Sequence, residues 1–245
     1  MTTRVGVIGA SGRVGAEVCR AVEADDDLEL VAGIGSGESL DALVDAGAEV
    51  AVEFTTPASV KDNAAFCLDN GIHVVVGATG LSAGDLDELR AVAEANAVNC
   101  FVAPNFAIGA VLMMRFAAEA ASHFAVAEII ERHHERKLDA PSGTALRTAE
   151  LMNKARSERW DTPSGGEESL AGARGGDSDG VRVHSVRTPG SVAHQEVILG
   201  SAGQTLTIRH DSLDRASFMP GVIMAIKKVG SLDSLTVGLE HLLDL

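Results

Sequence analysis

An apolar run at residues 4–8 breaks off into Gly9-Ala10-Ser11-Gly12-Arg13-Val14-Gly15, and helical spacing (Val14, Val18, Ala21, Val22) follows at once over 14–24. A strand that feeds a helix through a turn of three glycines constrains the fold strongly, because the helix must pack back onto the strand it leaves. The same rhythm recurs downstream. Strands are expected at 28–34, 50–54, 73–76 and 99–103, with helices at 59–70, preceded by Pro57, and at 84–97, entered through Ser82. This alternation predicts a parallel sheet covered on both faces.

After Asn105 the pattern changes. An Ala-rich helix is expected at 109–124, a strand at 127–131 and a helix at 143–156. Residues 157–180, rich in Gly, Ser and charge, read as loop, and mobility is expected there. Three strand-like runs follow at 181–186, 192–199 and 205–209, separated by turns at Pro189-Gly190, Gly200 and Gly203. They are expected to pair in succession as antiparallel strands of a separate domain, ahead of a last helix near 218–229 and a tail.

Composition narrows the function. Hydrophobic residues at 46% and aromatics at 3% describe a soluble α/β protein packed with Ala, Val and Leu. No apolar run approaches the ~20 residues of a membrane span, and no signal peptide is visible, so neither a membrane nor a secretory reading is expected. A net charge of −15 repels a phosphate backbone and argues against nucleic acid. Such an acidic surface suits a salt-rich cytoplasm, where screening removes self-repulsion. Cys19, Cys67 and Cys100 lie far apart in apolar or helical patterns and read as free thiols in a reducing compartment, not as a disulfide or metal site.

Gly9-x-x-Gly12-x-x-Gly15 varies the dinucleotide fingerprint, and its position at the first strand–helix junction predicts that a pyrophosphate rests on the backbone of residues 9–15. An NAD-preferring site wants an acid at the tip of the second strand, but the run is Gly35-Ser36-Gly37-Glu38. Ser36 leans towards a 2′-phosphate and NADPH. Glu38 could still bend back, so NADPH or NADH is left open. Gly77-Ala78-Thr79-Gly80 lies where a nicotinamide ribose would pass, and reads equally as a plain β-turn. Pro104-Asn105-Phe106 ends the fifth strand, where Asn105 would either orient a carboxamide or serve a turn and hinge.

The segment Glu131-Arg-His133-His134-Glu-Arg-Lys137-Leu-Asp-Ala-Pro-Ser142-Gly143-Thr144 packs proton donors against a helix start. Hydroxyls and amides at that start make a cradle for a carboxylate, with Lys137 and a histidine adding positive charge. A histidine beside an anion is favoured in its protonated form, as a general acid requires. The histidines lack the further ligands a zinc site needs, so no metal is expected.

These motifs, in this order, resemble the dihydrodipicolinate reductase family; Arg209-His-Asp-Ser-x-Asp-Arg215-x-x-Phe218 and Gly238-Leu-x-x-Leu242 extend the likeness end to end. The resemblance implies a Rossmann-type parallel-sheet domain (1–105 plus 212–245) completed by the C-terminal helix. It also implies an inserted α+β domain (106–211) that binds substrate and drives a homotetramer. It implies reduction of a small cyclic dicarboxylate, 4-hydroxy-tetrahydrodipicolinate, by NADPH or NADH in the diaminopimelate route to lysine. His133 would be the catalytic acid and Lys137 its electrostatic partner, with His134, Lys137, Ser142, Gly143 and Thr144 at the dicarboxylate. Gly9, Gly12 and Arg13 would hold the pyrophosphate, Gly77 and Thr79 the nicotinamide ribose, and Asn105 and Phe106 the ring. Two departures leave the cofactor open: the family often carries an acid where this chain has Gly35 and Ser36, and some members carry Arg where it has Thr56. The competing readings are an aspartate or homoserine dehydrogenase-like enzyme and a non-catalytic dinucleotide sensor.

Overall fold

The computed structural model describes residues 2–161 and 168–243. The chain divides into two compact units, Met1–Ile108 with Arg215–Leu245, and Gly109–Asp214.

In the first unit, strands β1 (Thr3–Ile8), β2 (Leu28–Ile34), β3 (Val50–Glu53), β4 (His73–Val76) and β5 (Cys100–Val102) alternate with helices α1 (Arg13–Glu23), α2 (Asp41–Asp45), α3 (Val60–Asp69) and α4 (Ala83–Asn96). In the second unit come α5 (Ile108–Ala121, whose first residue belongs to the first unit), β6 (Val126–His133), α6 (Gly143–Lys154), β7 (Gly176–Ser178), β8 (Val181–Arg187), β9 (Ala193–Ser201) and β10 (Gln204–Ser212). The chain then returns to the first unit with α7 (Met219–Lys228) and β11 (Leu235–Val237).

The first sheet is parallel throughout, in the order β11-β5-β4-β3-β1-β2. Both faces are covered: all four residues of β3 are buried, as are Val74, Val75 and Val76 of β4. Strand order reverses between β1 and β3, so a crevice is expected at their carboxyl ends, where doubly wound sheets take their ligands. Ser82 starts α4 with a reciprocal capping box to Asp85. The tail contributes more than the expected helix, since β11 pairs with β5 as a sixth parallel strand.

The second sheet runs β10-β9-β6-β8-β7 and differs from the expected antiparallel succession. Strands β8 and β9 do not pair with each other; β6 lies between them, parallel to β8 and antiparallel to β9. A parallel pair needs a long crossover, and α6 with the segment after it supplies one. Within the expected loop 157–180, β7 pairs with β8 at the sheet edge, and residues 162–167 lie outside the described residues. Ala127, Ile129, Val183, Val197 and Leu199 face one side of this sheet and pack on Met113 and Ala117 of α5 and Ala145, Ala149 and Met152 of α6. Strand β6 also runs two residues further than expected, through His133, so Glu131 and His133 share the inward face with Ile129.

Candidate active site

Gly9 holds the turn after β1 in left-handed backbone (φ +86), and a Cβ there would lie 2.6 Å from the Phe54 carbonyl oxygen. A Cβ on Gly15 would run into the Gly9 carbonyl. The Gly9 and Ala10 amides both donate to the Ile34 carbonyl (2.8 and 3.0 Å), and the Gly12 amide to Gly9. What remains for an anion is the first turn of α1, which Gly12 caps with no side-chain hydrogen bond and where Ser11 and Arg13 are exposed. Val14 is half-buried.

A cavity of about 530 Å³ opens beside this turn, at the carboxyl ends of β1, β2 and β3. Ser11, Gly12, Ser36, Glu38, Thr55 and Asn63 are among its lining residues. Glu38 does bend back: its Oε2 accepts the Gly35 amide at 2.5 Å, which brings a carboxylate to the tip of β2 although no acid is encoded there. Ser36 lines the same cavity next to that negative charge. The glycine cradle, the helix start and the cavity together fit a dinucleotide.

At the next strand ends the picture is mixed. A Cβ on Gly77 would enter the Phe54 ring, while Ala78 and Thr79 leave the sheet in irregular backbone with Thr79 exposed. Pro104 is exposed. Asn105 Oδ1 accepts the Ala107 amide at 2.9 Å, a turn-stabilising contact. The Phe106 side chain is buried and tilts against Phe54 and Phe101 (centroids 5.7 and 6.1 Å). It therefore packs the strand ends instead of offering its ring to a ligand.

In the second unit the His133 ring and the start of α6 are held by one carboxylate. Glu131, with no exposed surface, meets His133 Nδ1 at 2.5 Å through Oε2 and accepts the Ser142 amide at 3.1 Å through Oε1. Arg187 grips both oxygens, Nη1 to Oε2 at 2.9 Å and Nη2 to Oε1 at 2.8 Å. Ser142 caps α6 by accepting the Ala145 amide at 3.2 Å, and it is buried, so it builds the cradle and does not line it as the sequence suggests. Gly143 is exposed, with nothing within 4 Å of a Cβ built there, so the space over the helix start is open. Thr144 follows in the first turn. His134 is exposed past the end of β6, and Lys137 Nζ sits 2.8 Å from Asp139 Oδ1.

The electrostatics qualify the expectation of a protonated histidine. Burial pushes the His133 pKa below its ordinary value; Lys137 and Arg187 push the same way, and Glu131 only partly offsets them. Even with Glu131 in contact, the net balance disfavours the imidazolium. Burial alone would raise Glu131, but hydrogen bonds from Arg187, Ser185 and His133 outweigh it and hold the carboxyl below the ordinary range. Sequence reasoning missed both Arg187 and the role of Glu131. The available signal was the alternation Ala127-Ile129-Glu131-His133, which puts an acid on an apolar face. Among the described residues, no cluster of three or more His, Cys, Asp or Glu could hold a metal ion.

Residues 3–106 match the family described as dihydrodipicolinate reductase, N-terminus, and residues 109–243 match dihydrodipicolinate reductase, C-terminus. The chain is 54% identical to a 4-hydroxy-tetrahydrodipicolinate reductase of Mycolicibacterium vanbaalenii, over 99% of both chains. It is also 54% identical to one of Nocardia farcinica, over 100% of both. Its fold superimposes with a TM-score of 0.89, at 40% identity, on a dipicolinate-bound dihydrodipicolinate reductase from Paenisporosarcina sp. TG-14, covering 99% of this chain and 100% of that one. An amine dehydrogenase from Mycobacterium smegmatis matches at TM-score 0.65 with 11% identity (98% and 96% covered), which is a likeness of fold alone.

Proposed function

The chain belongs to the dihydrodipicolinate reductase family, and from that premise we propose that His133 donates the proton, with Lys137 as electrostatic partner, when 4-hydroxy-tetrahydrodipicolinate is reduced in the diaminopimelate route to lysine. The observation that carries this reading is the hydrogen bond of His133 Nδ1 to buried Glu131, which also holds the start of α6. Over the reaction water is lost across C4 and C5, a hydride adds at C4 of the resulting conjugated imine, and one proton quenches the negative charge that spreads over the ring nitrogen and C5. A bound reduced nicotinamide supplies the hydride.

The amides of Gly143 and Thr144 at the α6 N-terminus hold a substrate carboxylate, with His134 and Lys137 adding positive charge. The arriving dianion raises the pKa of the adjacent imidazole, so His133 takes up its proton as substrate binds and gives it up from Nε2 during reduction. Lys137 stabilises the negative charge that develops on the ring. The glycine turn at residues 9–15, Gly77, Ala78, Thr79 and the backbone of Pro104, Asn105 and Phe106 are assigned to the cofactor.

The Glu38 carboxylate at the β2 tip favours ribose hydroxyls and repels a 2′-phosphate, which supports NADH as the better donor. Ile130, Val186 and Ile198 project from the face of the second sheet opposite its core, and this supports a homotetramer assembled through that face. Three free cysteines, two of them buried with thiols pushed up to about 12, fit a reducing cytoplasm.

The test is oxidation of NADH and NADPH by the purified enzyme, with substrate made in situ from pyruvate and aspartate semialdehyde. His133→Gln and Lys137→Ala are each expected to lower kcat by ~10²–10⁴-fold while cofactor affinity holds. An equal loss of cofactor affinity, or unchanged kcat, would overturn these roles. Glu38→Ala is expected to lower the NADH-to-NADPH ratio of kcat/KM by roughly tenfold or more, through loss of like-charge repulsion. An unchanged ratio would remove Glu38 from cofactor choice.

A further inference from the structure

Arg187 and Glu131 form a largely enclosed ion pair, and their contacts reach three separate parts of the site. Glu131 touches the His133 ring and the Ser142 amide. Arg187 Nη2 also donates to the Asp139 carbonyl at 2.7 Å, and the Asp139 side chain holds Lys137. A buried pair of this kind is a poor source of net stability, since desolvating two ions offsets most of their attraction. Its placement between the imidazole, the helix start and the lysine turn calls for another explanation.

We propose that Glu131 and Arg187 are positioning residues for proton transfer: Glu131 holds the proton on His133 Nδ1 and keeps Nε2 as the donating nitrogen, while Arg187 limits how strongly Glu131 holds the imidazolium. The inference rests on His133 being the proton donor. An ionised carboxylate can only accept, so the ring nitrogen facing it must carry hydrogen. When Nε2 gives up its proton, the ring stays bonded to Glu131 as the Nδ1–H tautomer, oriented for the next cycle. Through Ser142 the same carboxylate fixes the distance from that ring to the cradle, which ties proton delivery to the seating of the substrate.

The charged groups acting on His133 are Glu131, which favours the imidazolium, and Lys137 and Arg187, which oppose it; Asp139 offsets part of the lysine charge. Removing either member of the pair therefore moves the titration of His133 in opposite directions. In kcat/KM against pH, activity falls as the donor loses its proton. Glu131→Gln is expected to move that alkaline limb to lower pH and to reduce kcat by ~10²-fold or more, because the amide can present hydrogen to Nδ1 and stabilise the wrong tautomer. Arg187→Gln is expected to move the limb to higher pH. Glu131→Asp, which keeps the charge one methylene short, is expected to restore the limb partly but to leave KM for the dicarboxylate raised, because the Ser142 contact is lost. Limbs that stay in place, or move the same way in both variants, would overturn the proposal.

His133→Gln separates the two readings. If it leaves turnover and the limb intact, the donor assignment fails. If it abolishes them while Glu131→Gln and Arg187→Gln, shown folded by circular dichroism and cofactor binding, leave the limb unmoved, only the positioning role fails. Nitrogen-15 spectra of histidine-labelled wild-type protein test the proposal even where a variant does not fold: the expected signature is protonated Nδ1 with bare Nε2 at alkaline pH, and the reverse tautomer would overturn it.

Discussion

Glu53 at the end of β3 and Glu131 near the end of β6 each show no exposed surface, and each ends a run of inward-facing apolar residues. Their surroundings differ. Glu131 has a bidentate guanidinium, an imidazole and a backbone amide. Glu53 receives only neutral donors, the Thr55 amide and hydroxyl and the Asn63 amide, all on Oε1; its Oε2 has no hydrogen-bond partner among the described residues. The outcome follows from the donors. Burial raises the Glu53 pKa and the hydrogen bonds do not cancel it, whereas at Glu131 they do. Burial alone thus does not say whether a carboxyl in this protein is charged; a matched cation does. In the first unit burial with neutral donors raises the acid whose partners Thr55 and Asn63 line the cavity, and in the second the guanidinium lowers the acid that holds the His133 ring.

The largest expected effect comes from breaking the pair at one end. Arg187→Met leaves Glu131 buried without its cation and is expected to cost ~3–5 kcal/mol. Urea unfolding reads this directly, and a loss under about 1 kcal/mol would mean that water reaches Glu131 and that the contrast with Glu53 is false. Replacing both partners, as in Glu131→Gln with Arg187→Met, is expected to recover part of that loss, because no unpaired ion remains.

That contrast was only half legible in the sequence. The βαβ rhythm of the first unit could be read because β1, β2 and β4 are apolar runs bounded by turn residues, and the glycine turn marks where the chain reverses. Strand β11 could not, since Leu235–Val237 is three residues long and gains its identity only by pairing with β5. The second sheet was misordered because alternation reveals that β8, β9 and β10 are strands but carries no record of partners; β6 enters between them from fifty residues upstream. His133, Lys137 and Ser142 stood out as reactive types in one segment. Arg187 did not, for it meets Glu131 across 56 residues of chain and lies in an ordinary strand of mixed polarity. Glu38 could be read as an acid able to bend back to the β2 tip, but the sequence did not decide that it does, because its position depends on the turn through Ser36 and Gly37. Side chains that act by local spacing are readable; those that act by folding back or by long-range pairing are not.

The smallest effect sharpens the comparison most. Glu53→Gln exchanges a carboxyl of raised pKa for a neutral group of the same shape, so stability near neutral pH is expected to change by less than about 1 kcal/mol in either direction. The pH dependence carries the information. Between the ordinary value of 4.5 and the higher folded value, native Glu53 keeps a proton that the unfolded chain has released. Stability therefore falls as pH rises through that window and is flat above it. Glu131 has the opposite sign: its folded pKa lies below 4.5, so its contribution is present above that pH and is lost as pH falls towards the folded value. In a series of melts from acid to neutral pH, Glu53→Gln is expected to remove a decline on the rising side, and Glu131→Gln a loss on the acid side. If both substitutions flatten the same limb, the two carboxyls share one charge state, and neither the guanidinium nor the unpaired oxygen governs their titration.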